Sequence, residues 1–134
     1  MSEIRYLASL DIIALNAIIM HEWKQASYVR DEHVLESALM RPQMVAHYEQ
    51  ADLVTQAALL IEGIARAHAF MDGNKRTALA AGTIFLKING HFIDSAEGEL
   101  GRQIEALVTR APTPDEFAAW LSERLRVMEP PQAG

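Results

Sequence analysis

Residues 52–90 read DLVTQAALLIEGIARAHAFMDGNKRTALAAGTIFLKING. Asp52 has the side chain of a helix N-cap. Behind it Leu53, Ala57, Leu60, Ile61, Ile64 and Ala65 recur at helical spacing, which marks a helix with a core-facing stripe. That helix runs out near His68. A second one opens around Asn74, carries Leu79, Thr83, Leu86 and Lys87, and stops at Asn89-Gly90, a helix-exit pair. The loop between them is Ala69-Phe70-Met71-Asp72-Gly73. The stretch therefore reads as two core helices joined by a five-residue loop.

Working outward, Ser9 is placed to cap a first helix with apolar positions Leu10, Ile13, Ala14, Ala17 and Ile18. Asp31 can cap a short second helix, with Val34, Leu35, Ala38 and Leu39 on one face. Pro42 predicts its end at Arg41. Downstream, a fifth helix covers Gly98 to Val108. The last opens at Thr113-Pro114-Asp115-Glu116, a capping box with proline at the first helical position, followed by Phe117, Trp120, Leu121 and Leu125. Gln43 to Gln50 and Gly90 to Asp94 read as non-helical, the second allowing a short extended piece. Two prolines stop any helix in residues 129–134, which read as a flexible tail. Met40, Met44, Trp23 and Trp120 read as packing residues. The expected architecture is a single all-α domain over residues 1–128, a helical bundle with a small flap or hairpin.

Composition agrees. A chain of 134 residues is one domain's worth and hides roughly two thirds of its unfolded surface. Half of it is hydrophobic and 22% is charged, an ordinary globular balance. Cysteine is absent, which excludes disulfides, thiolate nucleophiles and zinc ribbons. Twelve basic against 18 acidic side chains give a charge of −6, so no direct nucleic-acid binding is expected. No run approaches the roughly 18 apolar residues of a membrane span. The apolar stretch Leu10 to Met20 is interrupted by Asp11 and Asn16 and reads as a helix, not a signal peptide. A cytoplasmic protein is expected.

The chemistry gathers at the loop. Arg66, His68, Asp72, Asn74, Lys75 and Arg76 crowd around it, inside an otherwise apolar helical pair. A helix starting near Gly73 offers unpaired N–H groups and the positive end of a dipole, a ready anion site. Gly73 permits close backbone approach, and Lys75 and Arg76 add fixed positive charge. Asp72 is the acid at hand for Mg²⁺ beside a phosphate. His68 carries an imidazole that can take a proton from an attacking hydroxyl. Each residue alone reads as a cap, a turn or a solvated face. Together they spell phosphoryl or nucleotidyl transfer. There is no Gly-Lys-Ser/Thr, no zincin motif, no calcium loop and no Gly-x-Ser-x-Gly.

The stretch His68-Ala69-Phe70-Met71-Asp72-Gly73-Asn74-Lys75-Arg76 resembles the Fic/Doc family, whose Fic members carry H-P-F-x-D/E-G-N-G-R-x-x-R. The resemblance extends from about Arg30 to Gly90. It is closest to the Doc-type, death-on-curing branch, H-x-F-x-D-A-N-K-R-T-A-L, which His68, Phe70, Asp72, Asn74, Lys75, Arg76, Thr77, Ala78 and Leu79 match. Ala69, Lys75 and Leu79 depart from Fic; Gly73 departs from Doc towards Fic.

The resemblance implies a toxin of a toxin–antitoxin pair that moves the terminal phosphate of ATP to a hydroxyl of elongation factor Tu. The alternatives are AMP transfer to a protein hydroxyl and an inactive binding module of the same fold. By resemblance His68 is the general base, Asp72 coordinates Mg²⁺, and Gly73, Asn74 and Lys75 form the anion hole, Asn74 as a direct donor. Arg76 stabilises the transferring phosphate, Arg66 supports it, and Phe70 anchors the loop. Gln43 to Gln50 stands where the family has its target-aligning flap. The inhibitory [S/T]-x-x-x-E-[G/N] motif is missing: Ser95-Ala96-Glu97-Gly98-Glu99-Leu100 fails at its last position. Inhibition is therefore expected from a separate, Phd-like antitoxin chain.

Overall fold

The computed structural model describes residues 3–110 and 113–129; residues 130–134 of the expected tail lie outside them. The elements are α1 (Ser9–Glu22), α2 (Glu32–Glu49), α3 (Leu53–Ala67), α4 (Asn74–Ile88), β1 (His91–Ile93), α5 (Glu99–Thr109), α6 (Pro114–Arg124) and β2 (Leu125–Val127). The all-α expectation holds. No helix among the described residues is long and apolar enough to cross a membrane.

The helix α3 is the axis. Asp52 caps it by accepting the Thr55 N–H at 2.9 Å. From Val54 to Ala65 nearly every side chain is buried, because α2, α4, α5 and α6 all pack around it. The antiparallel partner α4 comes close at Gly82, where a Cβ would stand 2.4 Å from the Ile61 side chain. Only a hydrogen fits there, which fixes the α3–α4 approach and hence the loop at its end. Phe70, Phe85, Ile61, Ile64, Leu86, Ile104, Leu107 and Leu121 fill the core.

Four expectations are corrected. First, α2 does not end at Arg41; it runs through Pro42 to Glu49, and Gln50 leaves it in the left-handed conformation. An interior proline costs about 3 kcal/mol. Here its ring is buried beside Tyr6, Leu7, Leu39, Leu60 and Phe85, and packing of α2 along α3 offsets the cost. Residues 43–49, expected to be non-helical, thus belong to the helix, and Met40 and Met44 stay about half exposed.

Second, α1 turns a different face inward. Ile12, Asn16 and Met20 are buried, whereas Leu10 and Ile18 are exposed. Its N-cap is Ala8, whose N–H is accepted by the Asp11 carboxylate at 2.8 Å.

Third, the extended piece is no hairpin. Residues 91–93 pair antiparallel with 125–127, His91 opposite Val127 and Ile93 opposite Leu125, so Leu125 leaves α6 for a strand. Fourth, Trp23 at the end of α1 is 58% exposed, while Trp120 does pack against the core.

Candidate active site

The loop from α3 to α4 is built from backbone exceptions. His68 ends α3 with φ 54°, and Gly73 precedes α4 with φ 78°. The left-handed turn at His68 leaves its imidazole exposed, while Ala69 and Phe70 drop into the core. Phe70 anchors the loop as expected. At Gly73 a Cβ would be strained by φ and would meet Met20 Sδ at 2.7 Å and Asn16 Nδ2 at 3.1 Å.

Three sets of bonds hold the loop. Within it, Asn74 Nδ2 donates to the Phe70 carbonyl at 2.9 Å, and Asn74 Oδ1 accepts the Phe70 N–H at 3.1 Å. From outside, the arm leading into α2 lies alongside. Arg30 and Asp31 donate backbone N–H groups to the Ala69 carbonyl, and Met71 donates to the Tyr28 carbonyl. From behind, buried Asn16 of α1 donates to the Asp72 carbonyl at 3.0 Å and to Thr77 Oγ1 at 3.1 Å, and accepts from Ser27 Oγ at 2.6 Å. Asn16 is fully buried and ties α1, the arm and the loop into one unit. A buried carboxamide this well satisfied specifies one geometry, since leaving any partner unpaired costs about 1–3 kcal/mol.

The outer surface of this unit is a cleft of about 310 Å³. His68, Asp72, Gly73, Asn74, Lys75 and Arg76 line it, with Ala65, Met71 and Val108 as the apolar wall. The backbone N–H groups of Asn74, Lys75 and Arg76 have no acceptor among the described residues, and no side chain caps them. The first bond of α4 is Thr77 N–H to the Gly73 carbonyl, 2.9 Å. Asp72 accepts the Gly73 N–H on Oδ1 at 2.7 Å, leaving its other oxygen free of a protein partner among the described residues. No group of three or more acids or histidines forms a metal cluster among the described residues.

The predicted site residues thus converge, with three exceptions in detail. Arg66 donates its guanidinium to the Leu107 carbonyl of α5 and does not line the cleft. The Asn74 carboxamide is occupied by Phe70 at both ends, so what it presents to the cleft is its backbone N–H. Lys75 Nζ sits 2.7 Å from Glu105 Oε2 of α5. Sequence reading missed Asn16, Ser27, Glu105 and Trp23. Only Asn16 left a signal, as a polar residue inside an apolar helix.

A profile described as the Fic/DOC family matches residues 6–86. A protein named "Toxin Doc" from Mycolicibacterium smegmatis is 48% identical over 64 residues, 46% of this chain and 49% of that protein. The chain therefore spans about half the length of that relative. "Protein kinase doc" of Escherichia phage P1 is 34% identical over 95 residues, 69% of this chain and 75% of that one. Since the matched profile runs over all of α1, α2 and α3 and most of α4, and takes in every cleft residue except Val108, the chain belongs to the Fic/Doc family.

Proposed function

We propose that this chain is a Doc-type toxin that transfers the terminal phosphate of ATP to a hydroxyl of a translation factor, elongation factor Tu by resemblance. The observation that carries the reading is that two unlike groups line one cleft. One is an exposed histidine; the other is a helix start with three N–H groups unpaired among the described residues, a lysine and an arginine. The names of the two relatives, a toxin and a protein kinase, support it.

His68 takes the proton of the target hydroxyl as the oxygen attacks the terminal phosphorus. A phosphorus–oxygen bond forms there, the bond to the bridging oxygen breaks, and ADP leaves with that electron pair. The N–H groups of residues 74–76 and the Arg76 guanidinium receive the charge that spreads over the phosphoryl oxygens. Asp72 suits Mg²⁺, which is commonly held by one or two carboxylates plus phosphate oxygens and water. When bound, the ion supplies charge neutralisation. The arm at Tyr28–Asp31 lies beside the loop and is placed to align a target segment there. A separate Phd-like antitoxin is the inhibiting partner, and the protein works in the cytoplasm.

AMP transfer is the second reading, favoured by Gly73, which keeps the Fic-type glycine in its left-handed turn. The test uses the purified chain, Mg²⁺, elongation factor Tu and ATP labelled in turn on the terminal and the innermost phosphate. Label arriving from the terminal phosphate alone is the expected result. Label from the innermost phosphate establishes AMP transfer instead. No transfer from either overturns the assignment of this target.

A further inference from the structure

The cleft holds two cations, and the chain treats them differently. Lys75 is paired with a carboxylate, Glu105, at 2.7 Å. Arg76 has no carboxylate partner among the described residues; instead its guanidinium carbon lies 4.0 Å from the centroid of the Trp23 ring. Trp23 is not a core residue, being 58% exposed, so burial does not account for its position. It closes α1, with its backbone N–H donated to the Ile19 and Met20 carbonyls. Asn16, two turns upstream, bonds the Asp72 carbonyl and Thr77. The end of α1 is therefore registered against the start of α4, and the indole is delivered to Arg76.

We infer that Trp23 is a positioning residue that presents Arg76 to the phosphate group. The inference rests on reading the cleft as a phosphoryl-transfer site. An exposed arginine side chain samples many rotamers, and fixing it when ligand binds costs entropy. A carboxylate partner would hold it, yet would also neutralise it and compete with phosphate for its N–H groups. An aromatic face holds the cation through its quadrupole and leaves all five N–H donors unoccupied. Arg76 is thereby the cation available to an incoming phosphate, while Lys75 is already engaged.

Calorimetric titration of the full chain with ATP and Mg²⁺ tests this on wild type, W23A, W23F, R76A and the W23A/R76A double variant. W23A is expected to weaken ATP binding about threefold to tenfold, with an unchanged melting temperature. W23F recovers most of the loss, which a merely structural role would not predict. The double variant binds no more weakly than R76A alone, because the two side chains act as one unit. Wild-type affinity in W23A overturns the inference, as do penalties that add in the double variant. A different failure points elsewhere: no ATP binding by wild type, or an R76A variant that binds like wild type, overturns the reading of the cleft and this inference with it.

Discussion

At its C-terminal end, α4 is closed by the chain itself. Asn89 Nδ2 donates to the Phe85 carbonyl at 2.8 Å and the Arg5 carbonyl at 2.9 Å, while its Oδ1 accepts the Arg5 N–H at 2.8 Å. Backbone N–H groups of Asn89 and Gly90 take the Leu86 and Lys87 carbonyls. At its N-terminal end three N–H groups face a cleft with no partner among the described residues. The closed end also borders the larger hollow, about 600 Å³ against 310 Å³. Volume does not mark the site; unmet hydrogen-bonding capacity beside fixed charge does.

The sharpest way to break this contrast is to remove the group that faces the open end. His68→Ala is expected to lower phosphate transfer at least about a hundredfold. The circular dichroism spectrum and melting curve stay close to wild type, since the imidazole is exposed and has no hydrogen-bond partner among the described residues. Transfer that survives in His68→Ala would mean that the open end works without this base. Next in size is Gly73→Val. A branched side chain at φ 78°, with its Cβ 2.7 Å from Met20 Sδ, is expected to cost about 2–4 kcal/mol in urea unfolding and to abolish transfer. Gly73→Ala is milder, because the thioether of Met20 can swing aside.

The mirror experiment belongs to the closed end. Asn89→Ala removes three hydrogen bonds and leaves carbonyls of residues 5 and 85 without that partner. It is expected to cost about 1–3 kcal/mol while transfer per folded molecule is unchanged. A fall in activity at constant stability would show that the two ends of α4 are coupled. Smaller still is Glu105→Gln, which frees Lys75. Both partners are about half exposed, and such pairs are worth about 0.2–1 kcal/mol. ATP binding should tighten by about twofold to fivefold at low salt, and the gain should shrink as salt screens the pair. Weaker binding in this variant would make Glu105 a support for Lys75 rather than its competitor.

The open end was more legible in the sequence than the elements that support it. Asp52, the apolar period to Ala65, Gly73 and the polar cluster are all local signals, and α3, α4 and the loop follow from them. The motif also put His68, Asp72, Gly73, Lys75 and Arg76 in one place before any coordinates. What failed was non-local. Pro42 obeys a local rule that burial among Tyr6, Leu39 and Phe85 overrides. The apolar residues of α1 offer two stripes, and Asn16 selects the inward one because its partners, Asp72, Thr77 and Ser27, lie elsewhere in the chain. Glu105 and Trp23 meet their cations across 30 and 53 positions of sequence, so no spacing rule reveals them. Residues 125–127 leave a helical pattern for a strand because β1 offers an edge.

The smallest expected effect is the pH dependence of one hydrogen bond at the closed end. Tyr6 stacks on Phe85, centroids 5.9 Å apart, and its hydroxyl donates to Gln56 Oε1 at 2.6 Å. Gln56 is itself buried and oriented by donating to the Ala51 carbonyl, so its oxygen must face the phenol. Burial pushes the Tyr6 phenol above its ordinary value, which means that the folded chain keeps the proton when the unfolded chain has begun to release it. The resulting stability is fully present below about pH 10, where an unfolded tyrosine ionises. It is lost as pH rises through the folded value, because a phenolate cannot donate to Gln56. Urea midpoints measured from pH 8 to 11 should therefore fall more steeply in wild type than in Tyr6→Phe. At pH 8 the same variant should be less stable by about 0.5–1.5 kcal/mol for the lost hydrogen bond, so the two curves converge as pH rises. Parallel curves would place the alkaline sensitivity elsewhere and leave the closed end of α4 held by Asn89 alone.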